Sequence, residues 1–278
     1  MAPVPEGDTI YRSAAALNRA LSGREVVRFE SVFPALTRVH ADHPLTAMTV
    51  DRVQSAGKHL LMHFSGGVVL RTHMRMHGSW HIYRPGERWR ARRSEMRVLV
   101  ATAVFEAVGF NIPVAEFIRS RDLATHAVLS RLGPDGLDPR FDRDEAIRRL
   151  RSRPSMPIAD ALLDQRLLAG LGNVFKSEVL FSCGINPFAA VAELDERQLA
   201  HLVDTGQTLL QANVGAGSNG LRPHTGHRRT TGRDNPEESL WVYGRARRPC
   251  RRCNTAIVVR KHGSGARLTY WCPKCQTS

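Results

Sequence analysis

Four cysteines near the end of the chain place the tightest constraint on its fold. Cys250 and Cys253 form one Cys-x-x-Cys pair, Cys272 and Cys275 form a second, and eighteen residues separate the two pairs. This spacing supplies four thiolates from two turns, the tetrahedral set that zinc prefers. Two disulfides would be the alternative, but we find no secretory signal in the sequence that would favour them. The pattern predicts one structural Zn²⁺ site with a β-hairpin between the pairs.

Net charge indicates the kind of partner. The chain has 278 residues, with 40 Lys and Arg against 26 Asp and Glu, which gives a net charge of +14. A surplus of this size favours a polyanionic partner, and we expect nucleic acid. No apolar run approaches the roughly 18 residues of a membrane-spanning helix, so we expect no membrane association and a cytoplasmic, nucleoid-associated location. Lysine is scarce; its positions are Lys58, Lys176, Lys261 and Lys274.

The first part of the chain has the pattern of a helix followed by short strands. Thr9–Leu21 is amphipathic, with Asp8 or Thr9 as the N-cap and Ser22-Gly23 at its end. Closely spaced β-type runs follow, separated by turn residues such as those of 65–67, and predict an antiparallel sandwich or barrel. The predicted strands are Val26–Phe29, Leu60–Phe64, Val68–Arg71, Trp80–Tyr83, Val98–Phe105 and Ala107–Val114.

Beyond residue 120 the apolar residues recur at helical spacing. The predicted helices are Leu123–Arg131, Arg143–Arg151, Ile158–Leu168, Val174–Cys183 and Asp195–Ala212. Residues 213–235 are rich in Gly, Arg, Thr and His and predict a mobile loop. We therefore expect an α+β multidomain chain: a β-sandwich domain with a leading helix over 1–119, a helical domain over 120–222, a flexible loop over 223–239 and a zinc-finger hairpin over 240–278.

Residues 163–180 predict two helices joined by a glycine-containing turn. Gly170 and Gly172 permit a close approach at the turn, and Asn173 begins the second helix. The free N–H groups of a helix N-terminus bind phosphate well, which suits a nucleic-acid partner. The alternative is an ordinary helical hairpin capped by Asn173.

Six short motifs, in order along the chain, resemble the formamidopyrimidine-DNA glycosylase and endonuclease VIII family of base-excision repair enzymes. They are Pro5-Glu6-Gly7, Gly57-Lys58, residues 132–135 (LGPD), residues 170–173 (GLGN), residues 242–245 (VYGR) and residues 267–276 (RLTYWCPKCQ). The resemblance implies that the helical segment is a helix-two-turn-helix domain. It also implies a bifunctional DNA glycosylase and lyase that acts on damaged DNA, and we expect a monomer.

The resemblance also implies roles for individual residues. Pro5 would be the nucleophile that attacks C1′ of the damaged nucleoside and forms a Schiff base, with Glu6 as general acid at the sugar. Lys58 would assist base loss and β-elimination. Arg267, beside the hairpin turn, would grip the phosphates that flank the lesion and take part in δ-elimination.

Further positions match the residues that hold DNA in this family. Arg75, Met76 and His77 match the segment that fills the gap left by a flipped base, with Met76 as the apolar plug. The alternative is a strand end whose methionines pack in the core. Arg131 and Asn173 match positions that contact the DNA backbone.

Two departures from the family pattern affect these expectations. Residues 1–4 precede Pro5, and an acylated proline nitrogen is an amide that cannot attack. We therefore expect translation to begin at the codon of Val4 and processing to expose Pro5. If residues 1–4 are retained, the chain would be an inactive damaged-DNA-binding protein.

The second departure concerns the substrate. The Arg-Arg-Phe-Gly stretch usual in the formamidopyrimidine branch is absent from residues 96–114, which show only a valine-rich hairpin. The opening residues 5–9, PEGDT, also resemble the endonuclease VIII branch more closely. We therefore expect oxidised pyrimidines to be preferred, with 8-oxoguanine or formamidopyrimidine as the alternative substrate.

Overall fold

The computed structural model describes residues 4–215, 228–263 and 265–277. These residues divide into two compact units, one ending at Ser130 and the other beginning at Arg131. The four-cysteine module belongs to the second unit. Residues 228–239 of the flexible loop expected over 223–239 begin the second described range, whereas residues 223–227 lie outside the described residues.

The first unit opens with helix α1, Gly7–Leu21, which confirms the predicted helix. The helix begins two residues earlier than predicted, so its N-cap is Glu6 and the prediction of Asp8 or Thr9 is wrong. Its apolar stripe of Ile10, Ala14, Leu17 and Leu21 is buried, as the spacing predicted. The helix ends where Gly23 adopts a φ of 73°, a left-handed conformation that glycine tolerates without strain.

Eight antiparallel strands follow α1, with one short helix, α2 (Pro34–Asp42), between the first two. The strands β1–β8 are Arg24–Ser31, Thr49–Ala56, His59–Phe64, Val68–His73, Ser79–Tyr83, Met96–Thr102, Glu106–Phe110 and Val114–Arg119. Their order is β5-β7-β6-β1-β2-β3-β4-β8. Strand β1 pairs with β2 at its start and with β6 over the rest of its length, so it belongs to both layers of the predicted sandwich.

The predicted strands are confirmed in place, but the sequence missed three elements of this unit. Strand β2 buries only Val50 and Val53, so its weak alternation gave no strand signal. Helix α2 buries only Leu36 and was missed for the same reason. The run predicted to reach Val114 in fact ends at Phe110, and Val114 begins the separate strand β8.

The predicted helix Leu123–Arg131 is wrong. Residues Ser120–Thr125 and Leu129–Arg131 form two short 3₁₀ turns instead. The His126 side chain interrupts the segment, because its Nδ1 accepts the backbone N–H groups of Val128 and Leu129, each at 3.3 Å. A side chain that bonds its own backbone in this way competes with helical hydrogen bonding.

The second unit is helical and ends in a two-stranded hairpin. Its helices α3–α6 are Arg143–Arg151, Ile158–Ala161, Asn173–Cys183 and Glu196–Gly215, and its strands β9 and β10 are Val258–His262 and Arg267–Trp271. The helix predicted over Ile158–Leu168 stops at Ala161, because the chain then turns around the Asp164 carboxylate, which accepts the Arg166 N–H at 3.0 Å. Helices α5 and α6 pack against each other over a core that includes Leu171, Phe175 and Leu202.

Across the described ranges, no helix combines the length and apolar character that a membrane crossing requires.

The backbone of Gly133 packs directly against the backbone of residues 165–167. Substitution of Gly133 tests this contact. The Gly133 N–H donates to the Gln165 carbonyl at 2.8 Å, and an added Cβ would lie 2.6 Å from the Leu167 carbonyl carbon and oxygen. We expect Gly133→Ala to lower the free energy of unfolding by about 1–3 kcal/mol, because relieving the clash requires a shift of the backbone. Urea denaturation measures this change. Gly215→Ala, whose Cβ would meet nothing within 4 Å, is the control. Equal stability of both variants would contradict the contact.

Candidate functional site

Pro5 and Glu6 form the entry to α1. Pro5 is half-buried and Glu6 is buried, with only 1% of its surface exposed. The Glu6 backbone is extended, and its carbonyl accepts the N–H of Ile10 at 3.0 Å, so the residue caps the first turn of the helix. The two residues are therefore held in fixed positions by a helix whose apolar face is anchored in the core.

Lys58 occupies the tight turn between β2 and β3. Gly57 has a φ of 55° there, and Lys58 is half-buried. Helix α1 packs against both of these strands, and the Asn18 side chain of α1 accepts the Val53 N–H of β2 at 2.7 Å. The elements that carry Pro5, Glu6 and Lys58 thus belong to one packed layer of the first unit.

A cluster of buried polar side chains follows Lys58 along the sheet. His59 and His73 are paired across β3 and β4, with their ring centroids 4.8 Å apart. Arg71 donates from Nε to His59 Nδ1 at 3.3 Å and forms an ion pair with Glu116. The sequence analysis missed this cluster, because sequence spacing alone does not show that β4 pairs with β8.

Burial keeps both histidines of the cluster uncharged. Desolvation by burial, together with the positive charge of Arg71, lowers the pKa of His59 to about 3. Desolvation likewise lowers the pKa of His73 to about 4, assisted by Lys58 and Arg71. The neutral imidazole of His59 can then accept the guanidinium hydrogen bond, and His73 Nδ1 accepts the N–H of Arg75 at 3.0 Å. The cluster thus connects the strand that follows Lys58 to the loop that follows β4.

That loop exposes Arg75, Met76 and His77 at the end of β4. It is closed by a 2.9 Å hydrogen bond from the Gly78 N–H to the Met74 carbonyl, and Arg75 adopts a φ of 49°. Met74 is 2% exposed and Met76 is 45% exposed. Packing of the methionines in the core, the alternative interpretation, therefore holds for Met74 and is wrong for Met76.

Asn173 lies at the first position of α5 in the second unit. Gly172 is the N-cap residue, so the interpretation of Asn173 as the cap is wrong. Its Nδ2 donates to the Leu268 carbonyl at 2.9 Å, and its Oδ1 accepts from Lys176 Nζ at 2.8 Å. Lys176 is 1% exposed and also donates to Thr269 Oγ1 at 2.8 Å. This buried ammonium, which the sequence analysis did not identify, ties the start of α5 to strand β10.

Arg267 and Arg131 are both exposed in the second unit. Arg267 begins β10, where its register partner is His262, so the predicted hairpin between the cysteine pairs is confirmed. The next residue, Leu268, is the one whose carbonyl holds the Asn173 side chain. Arg131 ends a 3₁₀ turn at the boundary of the unit.

The four cysteines of the second unit converge. The Sγ atoms of Cys250, Cys253, Cys272 and Cys275 all lie within 4.8 Å of one another. Four convergent thiolates suit a tetrahedral metal ion, so the donor set fits the predicted cluster. The Gln276 side chain accepts the Cys272 N–H at 2.9 Å and donates to the Ile185 carbonyl at 2.9 Å, which fixes one knuckle to the residues after α5.

Glu178 is fully buried on α5 and organises the segment that leads into the cysteine module. Its carboxylate accepts the backbone N–H groups of Trp241, Val242 and Tyr243 at 2.8–2.9 Å, and the hydroxyl of Thr230. Burial raises the pKa of this carboxyl, while the four donors oppose that shift. The sequence analysis missed this residue as well; its position five residues after Asn173, inside an otherwise apolar helix, was the available signal.

Comparison with known proteins defines the class to which this fold belongs. The model of the formamidopyrimidine-DNA glycosylase N-terminal domain matches residues 4–110, and that of the formamidopyrimidine-DNA glycosylase H2TH domain matches residues 132–225. Among solved structures, a complex of the Lactococcus lactis Fpg with DNA containing an abasic site has a TM-score of 0.80 and 25% identity, covering 99% of each chain. The architecture is that of a DNA glycosylase.

Curated relatives that align over nearly the whole chain establish its family. A probable endonuclease 8 2 of Streptomyces coelicolor is 41% identical, covering 98% of this chain and 94% of the relative. A DNA-(apurinic or apyrimidinic site) lyase Nei2 of Mycolicibacterium smegmatis is 36% identical, covering 99% and 100%. The chain belongs to the formamidopyrimidine-DNA glycosylase and endonuclease 8 family.

The neutral histidines predict a pH-dependent stability. Their folded pKa values lie below the ordinary 6.5, so their contribution to stability is complete above pH 6.5 and is lost as the pH falls towards 4. For His59 alone, lowering the pH from 7 to 5 should reduce the free energy of unfolding by about 2 kcal/mol. His59→Gln, which can still accept from Arg71, should flatten this dependence in urea titrations. The exposed His201→Gln should not, and equal slopes in both variants would refute the assignment.

Proposed function

We propose that the chain is a bifunctional DNA glycosylase and lyase of base-excision repair that removes oxidised bases and then nicks the strand. The main structural support is the arrangement of the first unit, in which α1 carries Pro5 and Glu6 and packs on the two strands joined by the Lys58 turn. Relatives named as endonuclease 8 and as an apurinic or apyrimidinic site lyase, aligned over nearly the whole chain, support the same activity.

Pro5 supplies the nucleophile in this proposal. Its nitrogen attacks C1′ of the damaged nucleoside, the base leaves, and an iminium links protein and sugar. A nitrogen acylated by Val4 has no available lone pair, so the reactive form begins at Pro5. A free α-amino group has a pKa near ~8, so a useful fraction is unprotonated at neutral pH.

Glu6 and Lys58 move the protons. Glu6, buried directly beside the nucleophile, is the general acid at the sugar ring oxygen, which opens the ring as the iminium forms. Lys58 assists base loss and the following β-elimination, which breaks the bond to the 3′ phosphate. A subsequent δ-elimination breaks the bond to the 5′ phosphate, so the sugar is released from the phosphates on both sides.

The exposed loop of the first unit prepares the substrate. Met76 enters the space that the flipped nucleotide leaves, and Arg75 and His77 contact the bases and backbone beside it. A thioether that already faces solvent in the free protein needs no unpacking from the core to do this.

Groups of the second unit bind the DNA backbone. Arg131 and Asn173 contact phosphates, and Arg267 grips the phosphates beside the lesion and assists δ-elimination. Cys250, Cys253, Cys272 and Cys275 would hold Zn²⁺, which would supply a structural crosslink for the hairpin that carries Arg267. The small size of this hairpin makes such a crosslink necessary.

We infer that oxidised pyrimidines are the preferred substrates. The hairpin of β6 and β7 lacks the Arg-Arg-Phe-Gly stretch, and several relatives are named endonuclease 8. A formamidopyrimidine-DNA glycosylase of Gloeobacter violaceus is 33% identical, so the test of the substrate includes a purine lesion.

The substrate preference is tested by measuring excision rates in parallel on duplexes that contain 5-hydroxyuracil or 8-oxoguanine. A faster rate on 8-oxoguanine would contradict the preference for oxidised pyrimidines.

Covalent trapping tests the proposed chemistry. A chain beginning at Pro5 should form a borohydride-stable adduct with DNA containing an abasic site, because reduction fixes the iminium as an amine. Pro5→Gly should reduce trapping strongly, and a chain that keeps residues 1–4 should form no adduct through Pro5. Tight DNA binding without an adduct from the chain beginning at Pro5 would refute catalysis and support a binding protein.

The contact between Lys176 and Asn173 predicts a measurable coupling. Lys176→Met should weaken binding to an abasic-site duplex roughly 5- to 30-fold, because the Asn173 amide loses the charged hydrogen bond that orients it. Lys274→Met removes the same charge at an exposed position and is the control.

A double-mutant cycle with Asn173→Ala isolates the coupling between these two side chains. The affinity losses of Lys176→Met and Asn173→Ala should be less than additive. Additive losses would show that Lys176 does not act through Asn173.

A further inference from the structure

Three exposed arginines on the segment between β5 and β6 have no role assigned above. Arg88, Arg90 and Arg92 are all exposed, and we call them the arginine strip. They alternate with Trp89 and Ala91, which are partly buried and pack on the apolar cluster of the first unit. The apolar residues turned inward leave the three guanidinium groups on the outer side of the segment.

Specific contacts fix the backbone of the strip. The Trp89 indole N–H donates to Glu106 Oε2 at 3.2 Å, and its ring packs edge-to-face on Phe110 with centroids 5.8 Å apart. The backbone N–H of Arg90 donates to the Tyr83 hydroxyl at 3.1 Å. The segment is thus an irregular but anchored structure, and its arginines are presented from a defined surface.

The charge of the strip is not neutralised locally. Among the described residues, Arg88, Arg90 and Arg92 form no ion pair. The neighbouring carboxylates are engaged elsewhere: Glu30 and Glu106 pair with Arg28, Glu30 also pairs with Arg93, and Glu87 accepts the backbone N–H of Arg84. Three unpaired cations on an ordered surface form an electrostatic site for a polyanion.

The strip is separate in sequence from the residues that contact the lesion. The loop carrying Met76 leads into β5, and the strip follows that strand after a turn in which the Glu87 N–H donates to the Arg84 carbonyl at 3.0 Å. The Trp89 ring packs on Phe110, which is the register partner of Ser79, so the strip runs back beside β5. The strip therefore presents its charges next to the sheet that carries the Met76 loop.

We propose that the arginine strip binds the phosphate backbone of duplex DNA. This inference rests on the proposed function and adds to it a second, sequence-independent contact surface. Guanidinium groups suit the role because they stay charged and donate paired hydrogen bonds to phosphate oxygens. Such a surface raises the affinity for DNA in general and leaves the chemistry at the lesion unchanged.

The test compares the wild type with Arg88→Gln/Arg90→Gln/Arg92→Gln on a 25-base-pair duplex carrying a tetrahydrofuran abasic-site analogue. Three lost phosphate contacts should reduce the slope of log K against log salt by about 2.7. Between 50 and 200 mM salt the wild type should therefore lose about 40-fold more affinity than the variant. The excision rate constant at saturating enzyme should remain within about twofold.

Two controls separate a fixed binding surface from net charge. Arg140→Gln/Arg143→Gln/Arg151→Gln removes the same charge from arginines that already pair with carboxylates, and it should leave the salt slope near the wild-type value. Trp89→Ala keeps all three strip arginines and removes their anchor, so it should lower affinity, while Trp89→Phe should restore most of it. Circular dichroism and thermal melting identify any variant that fails to fold.

The outcomes distinguish this proposal from the proposed function. An unchanged Kd and salt slope in a folded strip variant, with normal wild-type binding and trapping, would overturn the proposal for the arginine strip and leave the proposed function intact. The same result with loss of binding to polyglutamate would assign the surface to an acidic protein instead and would equally overturn the proposal. A wild type that neither binds DNA nor forms the borohydride adduct would refute the proposed function itself.

Discussion

Two buried, hydrogen-bonded side chains on helix α5 hold the second unit together. Lys176 and Glu178 are two residues apart, both buried, and each is satisfied by groups from the C-terminal third of the chain. A charge removed from water is tolerated only where hydrogen bonds replace its hydration, so each side chain fixes the segment that supplies its partners. Lys176 fixes β10 beside Arg267, and Glu178 fixes the segment of bends and turns before the first cysteine pair.

The first unit uses a comparable arrangement around neutral imidazoles. His59 lies next to Lys58 in the chain, and His73 lies next to the loop that exposes Met76. Because the two rings pack together between β3 and β4, the turn and the loop share one buried support. Both units therefore place residues with proposed catalytic or binding roles directly beside buried polar groups that limit their movement.

Structural elements were predicted correctly from the sequence where the pattern that specifies them lies within one short segment. The helix Gly7–Leu21 and the cysteine module were predicted well because periodicity and Cys-x-x-Cys spacing are local patterns. Helix Leu123–Arg131 was predicted wrongly because a single histidine side chain captured the backbone N–H groups. The motifs at 132–135 and 170–173 were noted separately. Only the structure shows that the first packs on the turn preceding the second, through Gly133 and Gln165.

The sequence predicts candidate site residues but not the contacts that support them. Pro5, Glu6, Lys58 and Arg267 came from family motifs, whereas Lys176 and Glu178 became evident only from their burial. The scarcity of lysine was a usable hint, since one of only four lysines falls in an otherwise apolar helix. Long-range pairing, such as that of Lys176 with Thr269, leaves no trace in sequence spacing.

The contrast between Met74 and Met76 has a chemical consequence for a protein that works on oxidised DNA. The sulfur of Met74 is sheltered by the core, whereas the side chain of Met76 faces solvent at the tip of the loop. Peroxide can reach such a thioether and convert it to a polar sulfoxide, which would no longer suit the role proposed for Met76 in the gap left by a flipped base. Oxidative stress would then modify the side chain of Met76 as well as the DNA. A sulfoxide reductase would be needed to restore the methionine.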